Sequence, residues 1–122
     1  MNDPEKTIRD FVEAWSRLDA AELASYFCDD GVYHNMPTGP VSGRKNIEAF
    51  IAGFIRDWTS TEWDIVNLLA AGNLVIVERL DRTVIGDRKV DLPCTGIFEM
   101  EAGQIKVWRD YFDLGTYMKA LA

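Results

Sequence analysis

With 122 residues, 48% of them hydrophobic and 27% charged, the chain fits one domain spanning 1–122 with a real core, and its composition excludes disorder. Thirteen basic against 20 acidic residues leave a net charge of −7, which sets the protein against nucleic acid or an anionic membrane surface as partner. No apolar run approaches the roughly 20 residues of a membrane span, and the polar start Met1 to Lys6 lacks the apolar core of a signal peptide, so the expectation is a cytoplasmic protein.

In chain order, a first helix is predicted from Asp3, a cap, and Pro4, suited to the first helical position. Ile8, Phe11, Val12, Trp15 and Leu18 then recur at three and four residues. Asp19-Ala20-Ala21-Glu22 reads as a capping-box variant opening a short second helix through Tyr26, broken by Cys28 to Gly31. Val32 to Met36 is a short extended segment, and Pro37 to Gly43 a loop. A third helix is expected over roughly Arg44 to Trp58, with Ile47, Phe50, Ile51, Phe54 and Ile55 on one side.

After it the pattern changes to strands. These are a segment around Trp63, Ile65 and Asn67, then Leu74–Ile85, a hairpin signal at Gly86-Asp87, Lys89–Met100 and Ile105–Phe112. Leu114 to Leu121 closes the chain as a helix. Helices gathered first and strands later predict an α+β fold, a curved and mostly antiparallel sheet forming a cone covered by N-terminal helices. The mouth of such a cone is a natural small-molecule pocket.

Three stretches hold polar groups out of keeping with their surroundings: Tyr33-His34-Asn35, Arg79-Leu80-Asp81 and Trp108 to Asp113. Residues two apart on a strand share a face. Tyr33 therefore pairs with Asn35, Arg79 with Asp81, and Asp110 with Trp108 and Phe112, while His34, Arg109, Tyr111 and Asp113 point the other way. A carboxylate flanked by Trp and Phe fits an apolar face better than a solvated one, where Asp110 reads either as a site residue or as a structural ion-pair partner. On spacing alone, Arg79 and Asp81 also read as an exposed cross-strand charge pattern, and Tyr33 and Asn35 as polar residues at a strand end. Cys28 and Cys94 read as buried hydrophobes, and His34, as the only histidine, excludes a histidine-rich metal site.

Tyr33-His34-Asn35-Met36-Pro37, Glu78-Arg79-Leu80-Asp81 and Trp108-Arg109-Asp110-Tyr111-Phe112-Asp113 resemble, in order and spacing, the limonene-1,2-epoxide hydrolase family. The resemblance covers nearly the whole chain, apart from a short N-terminus and a slightly shortened segment between Asp81 and Asp110. It implies the ketosteroid-isomerase-like cone and assigns Tyr33, Asn35 and Asp110 to a catalytic water, Asp81 to protonation of the epoxide, and Arg79 to a bridge between the carboxylates. It implies a one-step hydrolysis to a vicinal diol with no metal or organic cofactor.

Epoxide opening moves two protons, one off the attacking water and one onto the leaving oxygen, so one carboxyl must begin ionised and the other protonated. Family likeness and parity together predict an apolar wall from Trp58, Val77, Leu92, Cys94, Trp108, Phe112 and Tyr117, suited to a cyclic or terpene-like epoxide. An isomerase or polyketide cyclase of the same fold, or a non-catalytic binding or dimerising domain, are the competing readings. Arg79 beside Asp81 stands against the first, because a cation holds an aspartate ionised. Convergence of the two aspartates and the arginine in the interior would stand against the second. A homodimer is expected under each reading, with Met36, Arg109 and Tyr111 as contacts.

Overall fold

The computed structural model describes residues 3–122. Helix α1 (Pro4–Ala14) starts where Asp3 accepts the Lys6 N–H at 3.2 Å and Pro4 supplies a preset φ. A 3₁₀ turn over Trp15–Arg17 ends at Leu18, which is left-handed at φ 50°. Asp19 caps α2 (Ala20–Ala24) by accepting the Glu22 N–H at 3.1 Å. Strands β1 (Phe27–Asn35) and β2 (Pro40–Ser42) precede α3 (Arg44–Phe54). Gly43 initiates α3 at φ 92°, a backbone conformation that side chains rarely adopt. The chain then runs through β3 (Trp58–Ala71), β4 (Leu74–Ile85), β5 (Arg88–Glu101) and β6 (Gln104–Tyr111) to α4 (Leu114–Leu121).

The strands form one six-stranded sheet in the order β2-β1-β6-β5-β4-β3. The β1–β6 pair is parallel and the other neighbours are antiparallel. Burial alternates along β4, so Val75, Val77, Arg79, Asp81 and Thr83 all face inward. The core lies between that face and the helices, with Ile8, Phe11 and Val12 of α1 and Ile47 and Ile51 of α3 packed onto it. Phe11 is its hub. It sits edge-on to Trp15, Tyr26, Phe27, Phe98 and Trp108, with centroids between 5.2 and 6.1 Å. Aromatic pairs in this orientation add about 0.5–1.5 kcal/mol each beyond burial. No helix among the described residues is long and apolar enough to cross a membrane.

The α+β reading holds, and Leu74–Ile85 and Leu114–Leu121 have the expected bounds. Three local expectations are corrected. The second helix ends at Ala24, with Ser25 as its C-cap, and does not reach Tyr26. The segment Cys28 to Gly31 is strand and not a break, because Asp29 pairs with Arg44 and Asp30 with Lys106, while bare Gly31 lies close to the Ile105 carbonyl. The third helix stops at Phe54, and Trp58 opens β3, where it pairs with Ile85.

Candidate active site

Strand parity and register bring the expected polar set to one face. Parallel pairing sets Tyr33 beside Trp108 and Asn35 beside Asp110, and β4 carries Arg79 and Asp81 two residues apart. Gly96 of β5 lies between β4 and β6, as the Cα partner of both Val77 and Asp110. Tyr33, Asn35, Arg79, Asp81 and Asp110 are all buried.

Arg79 holds the two carboxylates together. Its Nε and Nη2 donate to Oδ1 and Oδ2 of Asp81, and its Nη1 and Nη2 donate to Oδ1 and Oδ2 of Asp110, every distance being 2.8 Å. The guanidinium side chain is 0% exposed. It lies over the Trp63 ring at 4.3 Å and within 5.6 Å of the Trp108 ring. Trp63 stacks in turn on Trp15 at 4.3 Å, so the cation rests on an aromatic pile running into the core. Tyr33 stacks face to face on Trp108, with centroids 4.3 Å apart and planes 5° apart.

These surroundings set the protonation behaviour. Burial raises the Asp110 carboxyl above its ordinary range and Asp81 pushes the same way. Arg79 pulls it down by charge and hydrogen bonding without cancelling the rise. The Trp108 indole N–H acts in the same direction as Arg79, as a donor toward the carboxylate that falls short of full hydrogen-bond geometry. Burial, followed by the Asp110 charge, pushes the Tyr33 phenol well up, so it stays neutral and able to donate. Burial likewise drives the Cys94 thiol far up. Its Sγ lies 3.4 Å from Asp81 Oδ2.

Asp81, Asp110, Tyr33 and Asn35 line a cavity of about 360 Å³, at the small end for ligand pockets. Arg79 does not line it and grips both carboxylates from behind. Of the expected wall, Trp58, Leu92, Cys94, Phe112 and Tyr117 face the cavity. Val77 and Trp108 do not. Both are 0% exposed and belong to the core. Parity fixes which face a residue occupies but not its depth along the strand. Val77 sits one repeat deeper than Arg79, and Tyr33 covers Trp108. His34 and Arg109 are half-buried and Tyr111 exposed on the other face, where Arg109 pairs with Glu99 at 2.6 Å.

Several wall residues escaped the sequence reading. Phe50 and Phe54 of α3 face the cavity although their helical periodicity reads as core. Trp63, Thr83 and Val90 complete the strand side, and the Thr83 hydroxyl is held 2.7 Å from that of Thr61. Leu114, Met118 and Leu121 of α4 close the pocket from above. With Tyr117 they recur at three and four residues, a stripe legible in sequence whose target was not. Tyr117 Oη accepts the Trp58 indole N–H at 3.3 Å and ties α4 to β3.

Asp81, Cys94 and Asp110 bring ligand atoms within 4.8 Å of one another, and no other such group occurs among the described residues. The donor set does not suit a divalent cation. Both carboxylates are already engaged by the arginine, whose charge would repel a metal, and the thiol is held protonated.

The family model for the limonene-1,2-epoxide hydrolase catalytic domain matches residues 2–122. The epoxide hydrolase EphG of Mycobacterium tuberculosis is 30% identical over 111 residues, covering 91% of this chain and 74% of its own. A solved epoxide hydrolase from that organism, described as limonene-epoxide-hydrolase-like, superposes with a TM-score of 0.82 at 28% identity, over 95% of this chain and 86% of that one. A protein of ketosteroid-isomerase-like fold from Catenulispora acidiphila, solved with trimethylamine, reaches a TM-score of 0.85 at 20% identity over 93% and 90% of the two chains, a likeness of fold.

Proposed function

This chain belongs to the limonene-1,2-epoxide hydrolase family, and from that premise we propose that it adds water to a small, largely apolar epoxide in one step. In this reading Asp110 is the general base and Asp81 the general acid. Asp110 takes a proton from a water held by Tyr33 and Asn35 as the water oxygen bonds to an epoxide carbon. The carbon–oxygen bond on the far side breaks, and Asp81 gives its proton to the departing oxygen. The product is a vicinal diol, and the proton left on Asp110 returns to Asp81 by way of solvent. Each acid or base step contributes about 10²–10⁴-fold.

The observation that carries the reading is that both carboxylates reach the cavity while the cation bridging them does not. Two carboxylates and one guanidinium leave a net charge of −1 in an apolar enclosure, a costly state. One proton shared by the pair makes the group neutral, and that is the protonation state the reaction needs. A base whose carboxyl is raised above the ordinary range also binds the abstracted proton more strongly.

The test is diol formation from a panel of cyclic epoxides, with a single turnover in ¹⁸O-labelled water. Label is expected in the diol. Label in an enzyme carboxylate refutes direct attack by water. Asp81→Asn and Asp110→Asn are each expected to remain folded and lose activity, and an active variant of either kind refutes the two-aspartate scheme. The reading extends to a homodimer through the outer sheet face, where the cross-strand partners Leu69 and Ile76 are exposed. Sedimentation at monomer mass would refute that part.

A further inference from the structure

We propose that Gly96 is a positioning residue for Asp110, and that its missing side chain is what lets Arg79 bind both carboxylates at once. The proposal rests on the acid–base reading above.

Gly96 lies in the interior of β5, where a glycine weakens a strand unless another group needs the space. Its backbone is not left-handed, unlike that of Gly43, Gly72, Gly86 and Gly103, so conformation does not demand a glycine there. Space does. A Cβ at Gly96 would stand 2.9 Å from Trp108 Nε1, 3.0 Å from Arg79 Nη1 and 3.1 Å from Asp110 Oδ1, where ordinary contact begins at 3.4 Å. All three atoms are polar groups of the site, and two of them form the 2.8 Å Arg79–Asp110 hydrogen bond.

The three neighbours do not have equal freedom to retreat. Trp108 stacks on Tyr33 at 4.3 Å and on Phe98 at 5.1 Å, with the Phe11 edge against it at 5.2 Å. Arg79 is pinned by Asp81 and by the Trp63 ring. Asp110 has the cavity in front of it. A methyl group at position 96 therefore drives the Asp110 carboxylate off Arg79 Nη1 and toward the water it must deprotonate. Misplacement of about 1 Å at a reacting group costs on the order of 10²-fold, so a shift of a few tenths, scaled in the exponent, is expected to cost about three- to tenfold.

Gly96→Ala, compared with wild type on cyclohexene oxide, tests this. The expected result is a fall of about three- to tenfold in kcat with KM changed by less than about twofold. The acid limb of kcat/KM should move to higher pH, because Asp110 loses part of the cation that favours its charged form. Gly53→Ala, where a Cβ meets nothing within 4 Å, is the control and should keep both kcat and the limb. If Gly96→Ala is not recovered folded, the same profile is read on Gly96→Ala/Trp108→Phe, which lacks the nearest clashing atom, against Trp108→Phe alone, so that the indole's own effect on Asp110 cancels. An unmoved acid limb in whichever variant folds overturns the proposal, as does failure of both to fold, which would make the glycine a folding requirement only. Wild type inert toward every epoxide would instead refute the proposed function.

Discussion

Replacing Arg79 with methionine removes the cation but keeps an unbranched side chain to fill the slot between Trp63 and Trp108. Four hydrogen bonds of 2.8 Å are lost, and two carboxylates remain in a site whose side chains are 8% and 5% exposed. Breaking a buried charge pair from one side destabilises by about 3–5 kcal/mol, on the order of 10 °C or more in Tm for a domain of this length. The loss depends on pH. Asp110 is already raised in the folded protein, and Arg79 is what restrains the rise. A carboxyl raised on folding gives stability that is complete below its unfolded pKa and lost as pH rises through its folded one. Without Arg79 that folded value climbs further, so the variant should lose more stability between about pH 5 and pH 7.5 than wild type does. Urea unfolding followed by tryptophan fluorescence at both pH values measures it. Equal stability of variant and wild type at the higher pH, with no difference in slope, would show that the carboxylates do not depend on the cation.

Three further outcomes are expected. Asp110 must be ionised to act as base and its carboxyl is raised, so kcat/KM should fall as pH falls through a value above the ordinary aspartate range near about 4; a limb at or below that value contradicts the environment described. Cys94, held protonated by burial, should resist iodoacetamide near neutral pH in the folded protein and react fully in urea, as read by mass spectrometry; rapid labelling of the native protein would contradict this. Tyr117→Phe removes the acceptor of the Trp58 indole N–H and should raise KM severalfold, with about 0.5–1.5 kcal/mol less stability; an unchanged KM would mean that α4 closes the pocket without that bond.

Strand geometry has a period of two, which sorted the residues that share a face and set Asp110 with Trp108 and Phe112, but it left an exposed reading open for Arg79 with Asp81 and for Tyr33 with Asn35, and the family resemblance was what drew them inward. Depth was not legible. Val77 and Trp108 satisfy the same parity as Asp81 and Asp110, but the helices cover them, and coverage is a three-dimensional fact. The start of β1 was obscured because Asp29, Asp30 and Gly31 form a turn-like string whose partners, Arg44 and Lys106, are far away in sequence. The periodicity of α3 continued past Phe54 into Ile55 and hid the end of the helix. Gly96 carried only the weak signal of a glycine within a strand pattern, since its purpose lies in atoms from β4 and β6.

The parallel pairing of β1 with β6 bears on how the protein comes into being. Asn35 and Asp110 are register partners separated by 75 positions, and Tyr33 and Trp108 are separated by the same distance. Contacts of such long range form only after a large loop has closed, which places them among the slower events of folding. Tyr33 and Asn35 belong to the first strand and Trp108 and Asp110 to the last, so the two halves of the proposed site meet only when β6 docks beside β1. The pairing of two carboxylates across Arg79, on which the proposed chemistry rests, therefore exists only once the sheet is complete.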